Sequence, residues 1–216
     1  NFTVSGSAPK ANVTLERLVS RIRFSIDKSA LDGLSVTAVQ LKQGALRATP
    51  FISQSKAASS SEVGDGDYAT SSDISSLNSG NTVTFYTLEN CQGVLLPNNK
   101  EASSKVPEEI ADKSALCTYL EMTASFSGKY EGVDVSSDNV KYRFYLGEDN
   151  CTDFNVIRNK DVKINLKVTE DRIFDESWRV SYGEDLPNIA YGLTNSKSSV
   201  SLDVGSSTTL SATYYR

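Results

Sequence analysis

The residue types in this chain exclude the commonest forms of side-chain catalysis, because the sequence contains no histidine. Nucleophiles of the Ser-His-Asp and Cys-His kind need an imidazole as general base. Most catalytic zinc sites also use histidine as a ligand. The sequence therefore excludes these hydrolase and zinc-enzyme classes.

Serine paired with lysine is a nucleophile arrangement that needs no histidine. Three short strings match elements of penicillin-interacting enzymes, namely Ser25 with Lys28, Ser53 with Lys56, and Ser137-Asp138-Asn139. The Lys-Thr-Gly element of those enzymes is absent from the sequence. Because the chain is rich in serine, such strings arise by chance, and we assign no catalytic residue.

Carboxylates are numerous, but their positions do not define a site. The chain has 27 Asp and Glu residues, and a facing pair of them could hydrolyse a glycoside. Asp65 and Asp67 lie in a Gly-Asp-Gly-Asp string that lacks the distal Glu of a calcium loop, so a plain turn is the better interpretation. We therefore assign no metal-binding residue and no cofactor.

Three cysteines, Cys91, Cys117 and Cys151, lack the paired spacing of zinc and redox sites. Three cysteines allow at most one internal disulfide. The candidate bridge joins Cys91 to Cys117 and would stabilise the fold by roughly 3 kcal/mol through its effect on the unfolded chain. The alternative is three buried, reduced thiols.

The elements that would position these groups are predicted to be strands. Alternating apolar and polar residues place every second side chain on a core-facing surface. This pattern predicts five strands, at residues 22–26, 83–85, 118–126, 140–146 and 162–168. Residues 15–22 fit either an amphipathic helix or a bulged strand. The sequence therefore predicts an all-β sandwich.

Polar stretches divide the chain between these strands. The polar, turn-rich composition of two stretches predicts long surface loops that are functional, partly helical or mobile. These stretches are residues 52–81 and 97–113. Beyond Trp178 the chain is polar and turn-rich, and apolar alternation on both sides of Gly205 predicts a β-hairpin. We therefore predict a sandwich domain over residues 1–184, and a linker plus hairpin, similar to the start of an immunoglobulin-like domain, over residues 185–216.

The net charge and the hydropathy of the chain limit the classes of molecule that it can bind. A formal net charge of -5 disfavours binding to nucleic acid and to anionic membranes. No apolar run is long enough to span a bilayer.

Aromatic rings can stack on sugars, and the candidates for such stacking are Tyr130, Trp178, Tyr214 and Tyr215. Trp178 is expected to be buried, because tryptophan is highly buried on average.

Five stretches resemble a known family. They are Glu16–Phe24, Phe85–Gly93, Thr118–Met122, Tyr142–Gly147 and Asp153–Asn159. In order and spacing they resemble the fimbrillin-like surface proteins of Bacteroides-type bacteria, which include type V pilus subunits and their anchors. The resemblance spans roughly residues 13 to 168, and the final Leu-Gly, Phe-Asn-Val and Arg-Asn strings carry most of it.

The resemblance implies a transthyretin-like Greek-key β-sandwich with long surface loops. It also implies a cell-surface protein on the extracellular face of the outer membrane, held to the membrane only by an N-terminal lipid anchor that this sequence does not include. Relatives polymerise by donating a strand to a neighbour, which suits an open sheet edge. In some relatives a protease cuts after an arginine near the N-terminus, and the matching positions here are Arg17, Arg21 and Arg23.

The first functional hypothesis is a non-enzymatic adhesion or fimbrial component, such as a pilus tip or anchor, that acts through strand edges and surface contacts. Its partners would be other fimbrial or surface protein subunits, or a host protein or glycan. The alternative is a carbohydrate-binding module of a surface glycan-uptake system, and a third hypothesis is a glycosidase fragment.

Overall fold

The computed structural model describes residues 16–29, 32–100, 104–105, 114–130 and 133–167, and the backbone of short strands at 180–185, 194–195 and 212–213. The chain divides into two compact units, Asn1–Leu186 and Pro187–Arg216. The predicted division into a sandwich domain and a hairpin domain stays a prediction.

The first layer is a six-stranded sheet. Its strands are β1 (Val19–Asp27), β3 (Gly44–Ala45), β4 (Val63–Gly64), β5 (Val83–Leu88), β10 (Lys160–Lys167) and β11 (Val180–Asp185), and their order in the sheet is β11-β10-β1-β5-β3-β4. Strand β1 pairs in parallel with β10 and antiparallel with β5. The strand that begins the described chain therefore has a partner on both sides.

The second layer is a three-stranded antiparallel sheet with the order β2-β7-β8. Its strands are β2 (Leu34–Lys42), β7 (Tyr119–Tyr130) and β8 (Val133–Tyr145). Two smaller antiparallel pairs are β6 (Asn90–Val94) with β9 (Asp153–Val156) and, in the second unit, β12 (Thr194–Asn195) with β13 (Ala212–Thr213).

The core lies between the two layers. In β1 every second residue is buried, and Ile22, Phe24 and Ile26 face the interior. They pack with inward side chains of the three-stranded sheet, and the rings of Phe24 and Phe144 lie 5.6 Å apart between their centroids. Two sheets that bury their apolar faces against each other form a sandwich. The prediction of an all-β sandwich is confirmed.

The five predicted strands are present as β1, β5, β7, β8 and β10. Residues 19–22 form part of β1, which pairs on both sides without a bulge, so the helical interpretation is wrong for these residues and the strand is regular where a bulged one was expected. Strand β2 carries a register shift between Val36 and Ala38. Such a bulge interrupts the alternation of buried and exposed residues, which weakens the sequence pattern of this strand.

The predicted excursion at residues 52–81 is partly helical. It contains a short 3-10 turn at Ser60–Glu62, strand β4 and helix α1 (Ser71–Asn78). The helix begins with a capping box, because the Thr70 hydroxyl accepts a hydrogen bond from the Asp73 amide while the Asp73 carboxylate accepts one from the Thr70 amide. Leu77 anchors α1 in the core.

The C-terminal predictions fall largely outside the described residues. Strand β11 pairs antiparallel with β10, so part of the polar segment after Trp178 is a strand that the sequence pattern did not predict. In the predicted hairpin, β13 lies in the second predicted strand, while residues 200–204 are outside the described ranges. Most of residues 97–113 are also outside those ranges.

Candidate functional site

A buried ion pair joins the segment between β5 and β6 to the turn between β9 and β10. Glu89 is 1% exposed and Arg158 is 3% exposed. Arg158 Nε donates a hydrogen bond of 3.0 Å to Glu89 Oε2, and Arg158 Nη2 donates to the same oxygen. Burial alone would raise the pKa of Glu89, but the bonds from Arg158 and Ser55 lower it below its ordinary value. We call this ion pair the Arg158–Glu89 clamp.

The clamp holds a surface loop, Thr49–Ser55, which we call the 49–55 loop. The Arg158 guanidinium donates to three of its carbonyl oxygens, those of Thr49 (2.9 Å), Pro50 (3.2 Å) and Ile52 (2.8 Å). Glu89 Oε2 accepts hydrogen bonds of 3.0 Å from the Ser55 amide and hydroxyl. The loop is therefore bonded to charged groups in the protein interior.

The tip of the 49–55 loop presents apolar side chains to solvent. Phe51 is 98% exposed and Ile52 is 63% exposed. Two exposed basic residues, Arg47 and Lys56, flank the loop. A buried ion pair is expensive to desolvate, and here it orders a loop whose tip is apolar. The arrangement suits a surface that makes contact with another molecule.

An open groove of about 250 Å³ lies beside the start of this loop, at the end of the six-stranded sheet. Six apolar side chains line it, together with three glycines and Thr87; the six are those of Val19, Leu41, Ala45, Leu46, Tyr86 and Leu88. Asp65 also lines the groove and forms an ion pair with Lys42. The hydrogen bond from Lys42 lowers the pKa of Asp65, so the carboxylate is charged at neutral pH.

One edge of the three-stranded sheet is covered by the excursion that contains α1. Three of its residues bond the outer backbone of β2: Gly66 N donates to Leu41 O (2.9 Å), Ala69 N donates to Val39 O (2.8 Å), and the Asn78 side chain bonds both Val36 N and Val36 O (2.9 Å each). The free N–H and C=O groups of an edge strand are the groups that recruit a further strand. The excursion occupies them at β2.

The opposite edge of this sheet is β8, which is 13 residues long. Within the described part of the chain, β8 pairs with β7 and with no other strand. Val140, Tyr142 and Phe144 face the core, while Lys141 and Arg143 are exposed. Charged outward residues limit unspecific pairing at an edge. Strand β8 is therefore a long edge strand with no second strand partner among the described residues.

Two of the candidate cleavage positions lie inside the sheet. Arg21 and Arg23 are in β1 and both form ion pairs with the Asp161 carboxylate on β10. Arg17 precedes β1, and its Nη1 donates a hydrogen bond of 3.0 Å to Asn159 Oδ1. A cut after Arg21 or Arg23 would divide a strand paired on both sides, whereas a cut after Arg17 would leave β1 whole. Processing at any of them stays a prediction.

The cysteines of the candidate disulfide are buried. Cys91 Sγ donates a hydrogen bond to Val156 O over 3.6 Å, and Cys117 is packed in a small apolar cluster with Leu96 and Phe154. Burial raises the pKa of the Cys91 thiol to about 12, which disfavours the reactive thiolate. The bridge between Cys91 and Cys117 stays a prediction.

A lysine is buried beside the same cluster. Lys105 is fully buried, its Nζ donates a hydrogen bond of 2.7 Å to Asp149 O, and it lies 5.0 Å from the centroid of the Phe154 ring. Burial lowers the pKa of Lys105 to about 8. A Cβ atom added at Gly147 would overlap the backbone carbonyl oxygen of Asp153 and would also lie 2.5 Å from this Nζ, so glycine is needed there for close packing.

Lys105 should contribute an increase in the free energy of unfolding between about pH 8 and pH 10.5, because over that range the unfolded chain retains a proton that folded Lys105 has released. The rise attributable to Lys105 is up to about 3 kcal/mol. The variant Lys105→Met should lose it in urea unfolding measured across this pH range. Lys141→Met, which removes an exposed lysine, should keep it, and parallel profiles of wild type and Lys105→Met would contradict the assignment.

The structure does not bring the serine and lysine of the short Ser-Lys strings together as a catalytic pair. The Ser25 hydroxyl donates to Asn165 Oδ1, while Lys28 Nζ donates to Leu34 O and Asn78 Oδ1. Ser53 and Lys56 are both exposed. Among the residues that the structure describes, no group of three His, Cys, Asp or Glu side chains could hold a metal. Asp65 binds Lys42, as stated above, and Asp67 lies in the segment that covers β2.

The predicted aromatic platforms fall outside the described side chains, which exclude those of Tyr130, Trp178, Tyr214 and Tyr215. Tyr86, which lines the groove, is an exposed aromatic residue that the sequence analysis missed as a site. Its alternation with Phe85 marks it as outward-facing. No helix among the described residues is long and apolar enough to cross a bilayer.

Comparisons with known proteins give two findings. Residues 85–166 match the model of a family described as a domain of unknown function, DUF4906. The chain is also similar in structure to the tip fimbrial protein Mfa3 from Porphyromonas gingivalis with a C-terminal truncation, with a TM-score of 0.47 and 13% sequence identity, over 80% of this chain and 52% of that chain. This chain thus spans about half the length of that structure. No curated protein matches the sequence.

Proposed function

We propose that this chain is a non-enzymatic fimbrial or adhesive component of the cell surface, such as a pilus tip or anchor, which binds protein subunits through strand edges and surface contacts. The observation that carries the proposal is the contrast between the two edges of the three-stranded sheet. The β2 edge is covered by the excursion, and the long β8 edge pairs with β7 alone among the described residues.

The stretches that resemble fimbrillin-like proteins support the proposal, because they lie at structurally important positions. They fall in β1, β5 with β6, β7, the end of β8, and the segment from β9 to the following turn. Two of them supply Glu89 and Arg158, the partners of the clamp. Asn159 adopts a positive φ of 60° in that turn, a conformation that asparagine tolerates better than most residues. The resemblance therefore includes residues that position the 49–55 loop.

The remaining elements of the proposal come from the resemblance. They are a location on the extracellular face of the outer membrane, an N-terminal lipid anchor, and partners that are other fimbrial or surface subunits. A charge of -5 is consistent with protein partners and not with nucleic acid.

The test measures strand addition at β8. The full chain, with residues 1–17 removed in a second preparation, is examined by native mass spectrometry for oligomers and captured strands, and by hydrogen exchange over residues 133–145. We expect the amides of β8 to become protected on assembly. The variant Asn139→Pro, at the bulge where β8 pairs irregularly with β7, should keep the fold and lose assembly, while Asn139→Ala should retain both.

A strict monomer that captures no strand and binds a defined glycan would overturn the proposal. That outcome would favour the alternative, a carbohydrate-binding module of a surface glycan-uptake system.

A further inference from the structure

We propose that the outer face of the six-stranded sheet binds acidic sugars, with Arg21 and Arg23 binding the carboxylate of the sugar and Tyr86 contacting its ring. This site goes beyond the proposed function, because it lies on a different sheet from the β8 edge. It rests on the proposed function only for its setting, an adhesive surface protein that meets glycans.

One buried carboxylate holds Arg21 and Arg23 side by side on β1. The two residues are two positions apart in one strand, so their side chains leave the same face of the sheet. Arg21 donates to Asp161 from Nε (3.2 Å) and Nη2 (2.9 Å), and Arg23 donates to it from Nε (2.9 Å) and Nη2. Asp161 is 5% exposed, whereas the side chains of Arg21 and Arg23 are 28% and 34% exposed. The carboxylate therefore fixes two guanidinium groups at the surface.

The two arginines keep donors and positive charge that Asp161 does not use. Each guanidinium has five N–H groups in a planar fork, and the Nη1 group of each has no hydrogen-bond partner among the described residues. Burial alone would raise the pKa of Asp161, but the bonds from Arg21 and Arg23 lower it, so the carboxylate is charged at neutral pH. Two cations thus share one anion. Guanidinium donors that are already ordered bind a further carboxylate at little entropic cost.

An exposed aromatic ring lies next to the arginine pair. Tyr86 on β5 is directly opposite Arg21 in the antiparallel pairing of β1 with β5. Residues opposite each other in this way have Cβ atoms about 5 Å apart on one face of the sheet. Tyr86 is 58% exposed. Its ring provides apolar contact area beside a charged group, which suits the C–H face of a sugar whose carboxylate binds the arginines.

The neighbouring side chains on this face are polar and uncharged. Thr84 is exposed opposite Arg23, and the Ser25 hydroxyl donates a hydrogen bond of 3.4 Å to Asn165 Oδ1. Strand β1 is paired on both sides, so its backbone cannot bind a peptide by strand addition. Recognition here depends on side chains. Their hydroxyl, amide and guanidinium groups match the hydroxyl and carboxylate groups of an acidic sugar.

Isothermal titration calorimetry of the full chain at low ionic strength, with a linear tetrasaccharide of galacturonic acid, tests the proposal. A short probe limits repulsion from the net charge of -5. We expect binding that weakens about tenfold or more when the carboxylates of the probe are methyl-esterified, because the ester cannot form charge-assisted bonds with the arginines. Equal binding of the acid and the ester, or no binding of the acid, would overturn the proposal.

Two substitutions locate the binding on this face. Arg23→Gln leaves Arg21 on Asp161 and should weaken binding of the tetrasaccharide about tenfold or more. Tyr86→Ala should weaken it about fivefold. The matched controls are Arg143→Gln, which removes an ion-paired surface arginine from the other sheet, and Tyr68→Ala, which removes another exposed tyrosine. Both controls should bind as wild type does, and wild-type affinity in Arg23→Gln would contradict the proposal.

Thr84→Glu tests the site without removing an ion pair. It places an acid opposite Arg23 on the exposed face, so the affinity should fall about tenfold, while Thr84→Gln should leave it unchanged. Unchanged affinity in Thr84→Glu would overturn the proposal. Equal affinity for an oligoglutamate of the same charge would overturn it in favour of an acidic peptide as the ligand.

Sugar binding and assembly through β8 can fail separately. The variant Asn139→Pro should keep binding of the tetrasaccharide, and Arg23→Gln should keep strand capture at β8. Loss of strand capture with intact sugar binding would contradict the proposed function alone. Strand capture without sugar binding would contradict the sugar site alone.

Discussion

The variant Arg158→Met should lower the free energy of unfolding by about 3–5 kcal/mol, which is a large fraction of the total stability of a typical domain. The substitution leaves the Glu89 carboxylate buried without its cation. It also removes the donor to three carbonyl oxygens of the 49–55 loop. Urea unfolding at neutral pH measures the loss, and hydrogen exchange should show faster exchange at Ser55, whose amide bonds Glu89.

The control for this variant is a surface ion pair. Arg143 Nε lies 3.1 Å from Glu121 Oε2, and the Arg143 side chain is 43% exposed. Arg143→Met should therefore cost at most about 1 kcal/mol. The double variant Glu89→Leu/Arg158→Met removes both buried charges and should be more stable than Arg158→Met alone. Equal losses of unfolding free energy in Arg143→Met and Arg158→Met would show that the clamp stabilises the fold no more than a surface ion pair does.

The variant Phe144→Ala should lower the free energy of unfolding by about 3–5 kcal/mol, because it opens a cavity between the two sheets. Phe144 is fully buried and packs against the rings of Phe24 and Tyr142. Thermal and urea unfolding measure the loss.

Phe51→Ala is the matched control, since it removes the same side chain from a solvent-exposed position. Its effect on stability should stay within about 0.5 kcal/mol. A loss below about 1.5 kcal/mol in Phe144→Ala would mean that the two layers are held together mainly elsewhere.

The sandwich was predictable because its core strands alternate regularly. In β10, for example, Ile164 and Leu166 are buried while Lys163 and Asn165 are exposed. Helix α1 does carry a signal in the sequence, which is the capping box of Thr70 and Asp73 ahead of the apolar residues Ile74 and Leu77. The rest of the helix is dominated by serine, which is a weak helix former, so its apolar periodicity is faint.

The clamp could not be predicted in the same way. Glu89 and Arg158 are 69 residues apart, and each reads in sequence as an ordinary charged residue next to a strand. Charged residues are almost always exposed unless they are paired. Only the fold brings these two together, and their shared burial then determines where Phe51 is presented. The one indication in the sequence that Glu89 and Arg158 are important is that each lies in a stretch that resembles the fimbrillin-like proteins.

The parallel pairing of β1 with β10 has a consequence for how the chain reaches its native state. Arg21 and Asp161 are neighbours across the two strands but are separated by 140 positions in the chain. Contacts of such long range slow folding, because a large loop must close before they form. A nascent chain that has not yet reached β10 cannot complete its main sheet, so we expect the six-stranded sheet to form only after β10 has been synthesised.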